Sequence, residues 1–472
     1  MPEGREATTM FVNRQRRCGA STLEALGLIA VAMLDPAALL ASSEAFALRG
    51  ATVLPMNGAA SQPRQTVLVR EGRIEAVGPA GVVEIPDGTR IVDVAGKFVL
   101  PGLADLHVHI KRPNADVERL LALFLRHGVT TVLSLDGGPT VLSLRGKIES
   151  GSRLGPRVFT TGPIIRGSDT MTREDGERIA REQVAAGYDL LKVYNQISAD
   201  GYAGLVAEAK GARVPVIGHA VRSVGIDGAL ANGQHIAHME ELVYGYFTWK
   251  SNEREDLPED VVDRLDLLLD PVKVPDLARR VAEAGVFVIP NLTAYHHILL
   301  QVEDLDRVLA RPEVALMPRL MTQSWVREKN GYTNREDPER FRRGLGRTFP
   351  FLQQLTAAFQ SAGVPLLLGT DVGIPVIVAG TSVHDELEEL VAAGLTPEQA
   401  LATATRNPAR FLGLADGGTV EVGKRADLLL LGADPLLDIR NSRSIAGVVV
   451  AGRFLDVEAL DGLLAASASP PQ

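Results

Sequence analysis

Cysteine is almost absent from this 472-residue chain: Cys18 stands alone. No intrachain disulfide can form, and no cysteine metal cluster. Positive charge is also in short supply. The 49 Lys and Arg are outnumbered by 58 Asp and Glu, for a net charge of −9. That balance argues against a nucleic-acid partner, because phosphate binding needs concentrated positive charge. Beyond residue 47 no apolar run reaches the ~18–20 residues of a membrane span, so none is expected in a mature protein. What remains is 46% hydrophobic and 23% charged, the make-up of a soluble globular protein rather than a disordered or fibrous one. The length exceeds one average domain, yet an α/β barrel can run past about 400 residues with insertions.

Residues 1–47 differ from the rest. Arg14, Arg16 and Arg17 form a basic cluster, LGLIAVAML (26–34) is apolar, and Ala45-Phe46-Ala47 offers a small-x-small cleavage pattern. This is the order of a secretory signal, and the Arg16-Arg17 pair suits a twin-arginine route. Export to the periplasm or medium is the expectation; the alternative is a poorly ordered extension on a cytoplasmic protein. Glu24 and Asp35 put charge in or beside the apolar region.

From residue 48 the chain reads as short strands and turns. Residues 51–55, 65–70 and 73–77 are β-like, broken by Asn57-Gly58 and Glu71-Gly72. A matching region closes the chain, with strands expected at 418–423, 426–431 and 447–455 and turns at Gly423-Lys424 and Ala451-Gly452. Residues 48–97 and 418–472 are therefore expected to pair into one small β-sandwich domain. Between them, 98–417 alternates apolar β runs with helical patterns. The strand candidates are 103–109, 130–135, 157–161, 189–194, 215–219, 235–239, 286–291 and 365–371. They are short and nearly all apolar, as strands covered on both faces should be. Residues 116–127 and 382–393 read as helices, and Thr396-Pro397-Glu398-Gln399 reads as a helix start. Eight β/α repeats predict the α/β class and a TIM-type (β/α)8 barrel. The charged segments 244–280 and 298–350 are expected over its mouth, as a lid or as the contact of a homo-oligomer.

Active sites of such barrels form at the C-terminal ends of the strands. There the first candidate ends with His107 and His109, which period-two geometry turns to the same side. Two adjacent imidazoles suit Zn²⁺ or a similar metal. Lys192 is a charge within an apolar strand. Burial lowers the pKa of an amine until it is neutral, and a neutral amine reacts with CO₂ to give an anionic carbamate. His219 and His238 end the next two candidates, and Asp371 ends the last. Together these six side chains predict a metal site.

The stretches PGLADLHVH (101–109), LLKVY (190–194), VIGHA (216–220), QHIAHMEE (234–241), LLLGTDVG (366–373) and GTVEVGKRADLLLL (418–431) closely resemble the amidohydrolase superfamily, most of all its imidazolonepropionase-related and prolidase-like metal-dependent hydrolases. The resemblance implies two divalent metals, usually zinc. His107, His109 and Asp371 would hold the first, His219 and His238 the second, with a carbamate on Lys192 bridging them. It further implies hydrolysis of a C–N bond in an amide, a dipeptide such as Xaa-Pro, or a cyclic amide. Hydroxide held between the metals would attack, and Asp371 would act as general base. Imidazolonepropionase and the deaminases use one metal and lack the lysine. The deaminases also place a Glu soon after the fifth-strand His, where this chain has His219-Ala220-Val221-Arg222.

The substrate is expected to be a small molecule. Tyr194, Arg222, Tyr244, Tyr295 and His296 are candidates to touch it, the Tyr hydroxyls and imidazole as oxyanion donors and Arg222 as the partner of a carboxylate. A lactonase or phosphotriesterase would use the same metals, and a non-catalytic relative would be expected to lose ligands.

Overall fold

The computed structural model describes residues 45–110, 115–248 and 259–467. The expected signal, apart from Ala45-Phe46-Ala47, lies outside the described residues. The first strand, β1 (Phe46–Val53), begins inside that cleavage pattern, with Phe46 opposite Val69 and Ala47 opposite Leu68. Next come β2 (Gln62–Arg70), β3 (Arg73–Pro79), β4 (Arg90–Asp93) and β5 (Phe98–Pro101).

The chain returns to this sheet only after more than 300 residues, with β13 (Leu428–Leu431), β14 (Ile445–Val450) and β15 (Arg453–Asp456). The mixed sheet runs β15-β14-β13-β5-β1-β2-β3, with β4 beside β1. Its seam is β5 against β13, antiparallel, with Val99 opposite Leu430. Alternate residues of both ends, among them Leu48, Val67, Val99, Leu428, Leu430 and Val449, form one buried apolar cluster. The expected strand at 418–423 is instead a turn region. Its Val420 still packs in that cluster, and its N–H donates to the Pro55 carbonyl at 3.0 Å.

The middle of the chain supplies β6 (Leu103–Val108), β7 (Val129–Ser134), β8 (Arg157–Thr160), β9 (Leu191–Val193), β10 (Val216–Gly218), β11 (His235–Ala237) and β12 (Val288–Ile289). They form two parallel sheets, β6-β7-β8 and β12-β11-β10-β9. Single parallel bridges join Thr161 to Leu190, Val288 to Leu366 and Val108 to Val372. Ala104, Leu133, Leu190, Ile217, Ala237, Ile289 and Leu367 meet in one buried cluster, with Phe159 packed against it. Helices Ala115–Arg126, Arg173–Ala185, Ala199–Ala212 and Thr381–Ala392 lie between the segments.

Segment 365–371 is not a continuous strand. The Leu368 N–H donates to the Thr403 carbonyl at 2.8 Å, and the Thr370 N–H to the Asp105 carboxylate at 3.0 Å. Amides used this way are lost to a ladder, so the run keeps single bridges only. Among the described residues, no helix is long and apolar enough to cross a membrane.

Candidate active site

Alternation along β6 turns His107 into the space where the parallel strands end, and His109 follows it just past the strand. Asp105 fixes this stretch to the closing segment. Its carboxylate accepts from the His107 N–H at 3.2 Å, the Thr370 N–H at 3.0 Å and the Thr370 hydroxyl at 2.6 Å. Gly369 makes room: a Cβ there would stand 2.7 Å from the His107 Cβ. Gly373 has φ +139°, and a Cβ there would stand 2.9 Å from the His109 Cβ. Both glycines are therefore required by close approach, and the second also by its backbone angle.

Asp371 and His238 carry the chain out of its segments with φ of 62° and 75°. Left-handed backbone in non-glycine residues costs free energy and gathers at functional sites. Here it aims both side chains at His107. Asp371 Oδ1 lies 2.7 Å from His109 Nε2 and 3.3 Å from His107 Nε2, and its Oδ2 lies 3.9 Å from His238 Nδ1. The imidazoles stand in a row: His109–His107 at 5.3 Å between ring centroids, His107–His238 at 4.7 Å and His238–His219 at 4.8 Å. Tyr194 continues the row at 4.2 Å from His219.

Electrostatics sorts these groups. Burial, reinforced by the Lys192 charge, holds His219 well below the usual imidazole range. Burial lowers His107 likewise, and lowers His238 to about 3 although Asp371 opposes the shift. Burial alone would raise Asp371, but the surrounding His107, His109 and His238 hold its carboxyl well below the ordinary value. His107, His219 and His238 are thus neutral imidazoles beside an ionised carboxylate, the donor set of a borderline divalent cation. Donor atoms of His107, His238 and Asp371 all lie within 4.8 Å of one another.

Three buried polar atoms at the same place lack a hydrogen-bond partner: His109 Nδ1, His219 Nδ1 and Lys192 Nζ. Buried polar groups left unmatched are costly. Lys192 is 1% exposed, and burial lowers its amine to about 8, against the pull of Asp371, Glu241, Asp136 and Glu240. An orphaned amine beside a cation-ready cluster fits the divalent-metal site that the sequence implies.

These groups open into a cavity of about 620 Å³. Tyr194 and Tyr295 line it, as does Arg166, which sequence reasoning passed over. Leu320, Met321, Trp325 and Tyr332 from the segment expected as a lid form its other wall. Tyr244 is buried one layer back, lining a smaller void with Tyr295.

Arg222 is exposed and outside the cavity lining. Its backbone N–H donates to Asn195 O at 3.0 Å. His296 is also outside the lining: its Nδ1 meets Glu389 at 2.5 Å, on helix Thr381–Ala392. His235 lies away from the cluster, edge-on to Phe287 and Phe411.

Three further residues surround the site. Asn291, at φ 53°, accepts from His107 Nδ1 at 3.1 Å and donates to Gly369 O at 2.8 Å. That bond leaves Nε2 of His107 facing Asp371. Glu240 and Glu241 are both buried, 3.6 Å from His238 and 3.9 Å from His219. Two acids directly after His238 in the sequence were the available signal. For Asn291, nothing in the local sequence marks the contact.

A family model described as the amidohydrolase family matches residues 98–455. An adenine deaminase from Paracoccus denitrificans is 33% identical over 70 residues, 15% of this chain and 12% of that protein. The chain therefore spans only a small part of the first curated relatives that it matches. Imidazolonepropionase from the same organism is 26% identical over 386 residues, 77% of this chain and 86% of that protein. A solved structure from Bifidobacterium longum, provisionally titled a prolidase, superposes with a TM-score of 0.63 at 26% identity, covering 90% of this chain and 100% of that one.

Proposed function

This chain belongs to the amidohydrolase family, and we propose that within it the protein is a metal-dependent hydrolase of an amide C–N bond in a small molecule. The observation that carries the reading is the convergence of His107, His109, His219, His238 and Asp371 on one cavity, beside a buried amine without a partner. The parallel segments, joined by their single bridges, are read as one (β/α)8 barrel spanning 98–417, with the two chain ends as its β domain.

His107, His109 and Asp371 would hold one metal ion and His219 and His238 a second, with Lys192 between them. Zinc suits this nitrogen and oxygen set. Ions bound there would lower the pKa of a water towards neutrality and polarise the substrate carbonyl. Lys192, with its amine lowered to about 8, has a reactive neutral fraction near neutral pH. Its nitrogen would bond to the carbon of CO₂ and release a proton, giving an N-carboxylate that would supply anionic oxygen donors to the ions. Asp371 Oδ accepts the proton of the attacking water and returns it to the departing nitrogen. The C–O bond forms, the C–N bond breaks, and the amine leaves neutral. The cavity walls position the substrate and limit its contact with bulk water.

The test is metal analysis of purified protein with hydrolysis assays on N-acyl amino acids, Xaa-Pro dipeptides, lactones and aryl phosphates. Bound divalent metal and turnover of at least one amide are expected. Asp371→Asn should retain protein-bound metal and lose turnover by at least a hundredfold. Lys192→Ala should lower metal content, with partial recovery in short carboxylic acids. Protein that binds no zinc and hydrolyses no amide sinks the reading, and turnover confined to lactones or phosphotriesters redirects it to those bonds. Export, with residues 1–47 as its signal, is part of the same proposal; a native product that retains the segment refutes it.

A further inference from the structure

The proposed metal-binding cluster accounts for one end of the cavity, with Glu240 beside His238, and the apolar wall for another; Arg166 brings a positive charge to the lining outside that cluster. It follows Ile165, whose N–H donates to the Lys192 carbonyl at 2.8 Å and whose carbonyl accepts from the Tyr194 N–H at 2.9 Å. This clamp ties the loop after β8 to the strand that carries Lys192. It sets the Arg166 guanidinium over the Tyr194 ring, 4.7 Å from the centroid. The ring restricts the side chain through a cation–π contact and leaves the five N–H donors at the guanidinium edge for another partner. No acidic side chain among the described residues forms a salt bridge with Arg166, whereas Arg145 pairs with Asp189 and Arg181 with Glu208.

We propose that Arg166 binds a carboxylate of the substrate and selects amides that carry one. The proposal rests on the amide-hydrolase reading and names the substrate class for that same site. The dimensions agree with it. Arg166 Cζ lies 4.7 Å from the Tyr194 ring centroid and that centroid 4.2 Å from the His219 ring, so the guanidinium is at most about 9 Å from the His219 ring. A hydrogen bond spans ~3 Å at each end, and adjacent α-carbons lie ~3.8 Å apart. The gap therefore admits an amide whose carboxylate is one residue from the scissile bond, as in an N-acyl amino acid or a dipeptide. A guanidinium engages a carboxylate through two parallel N–H···O bonds, while Leu320, Met321 and Trp325 face an apolar side chain. A neutral urea or ester would forgo those two bonds and leave the exposed guanidinium to water.

The experiment compares N-acetyl-leucine with N-acetyl-leucinamide, two probes that differ in the charge of one group. Binding is measured by calorimetric titration and turnover by amine release, for wild type, Arg166→Ala and Arg166→Lys. Wild type should favour the carboxylate by at least tenfold. Arg166→Ala should reduce that ratio to near one, chiefly through KM, and Arg166→Lys should retain part of it. A ratio unchanged in Arg166→Ala, or no preference in wild type, overturns the proposal. Failure of wild type to hydrolyse any amide would instead sink the proposed function, and the titrations would still decide the role of Arg166.

Discussion

His107 is held from two directions: Asp371 faces its Nε2 at 3.3 Å and Asn291 faces its Nδ1 at 3.1 Å. Removing the second contact frees the tautomer and the ring angle of a proposed ligand. Outer partners of this kind change metal affinity about 10–100-fold. Asn291→Ala is expected to weaken zinc binding by that order without unfolding the protein, as read by chelator competition. Unchanged affinity would show that the ring is fixed by packing alone. A second residue gives a pH signature away from the ligands. Burial lowers His235 to about 4, and its Nδ1 accepts from the Phe287 N–H at 3.1 Å. Unfolded histidine titrates near 6.5. Between these values the unfolded chain takes up a proton that the folded chain refuses. Its contribution to stability is full above pH 6.5 and is lost as pH falls towards 4, by about 3 kcal/mol. His235→Gln should flatten the loss of stability between pH 7 and 5 in urea titrations; an unchanged slope would count against it.

At the level of elements, periodicity located much of the architecture. Residues 116–127 predict the helix found at Ala115–Arg126, and 382–393 the one at Thr381–Ala392. The helix at Pro397–Thr403 starts as its sequence requires: Thr396 Oγ1 accepts from the Gln399 N–H at 3.2 Å, and Gln399 Oε1 accepts from the Thr396 N–H at 2.8 Å. Thr396→Ala is expected to cost about 1 kcal/mol, measured by denaturant titration, because the Gln399 N–H loses its side-chain acceptor. An effect below about 0.3 kcal/mol would mean that water replaces the cap. The segment with Asp371 was less legible. Its apolar run predicts a strand, yet its amides bond to the Thr403 carbonyl and the Asp105 carboxylate. Both partners are distant in sequence, so no local pattern could announce them.

For the whole molecule, the decisive contact is between chain ends. Leu430 pairs with Val99 across the seam of β13 and β5 and is fully buried. Leu430→Ala removes core volume that neither end alone can refill. A loss of about 2–5 kcal/mol is expected, and the melting of the parallel core should fall with it, followed by near-UV circular dichroism and proteolysis. Independent melting of the parallel core would mean that the two parts are energetically uncoupled. The ends also touch the parallel core directly: the Gly102 N–H, just before β6, donates to Asp427 O at 2.9 Å, and Gly128, just before β7, leaves room for the Leu429 side chain.

Residue types and their periods determined the α/β class, most strand and helix positions within a few residues, though not those at 418–423 and 365–371, and the six side chains expected at a metal site. Those features depend on neighbours one to four residues away, which the chain itself displays. Tertiary structure alone decided that Arg166, not Arg222, reaches the cavity, that His296 turns to Glu389, and that Asn291 orients His107. Each of these depends on which loop lies beside which strand end, a relation set by long-range packing and backbone hydrogen bonds rather than by any local pattern.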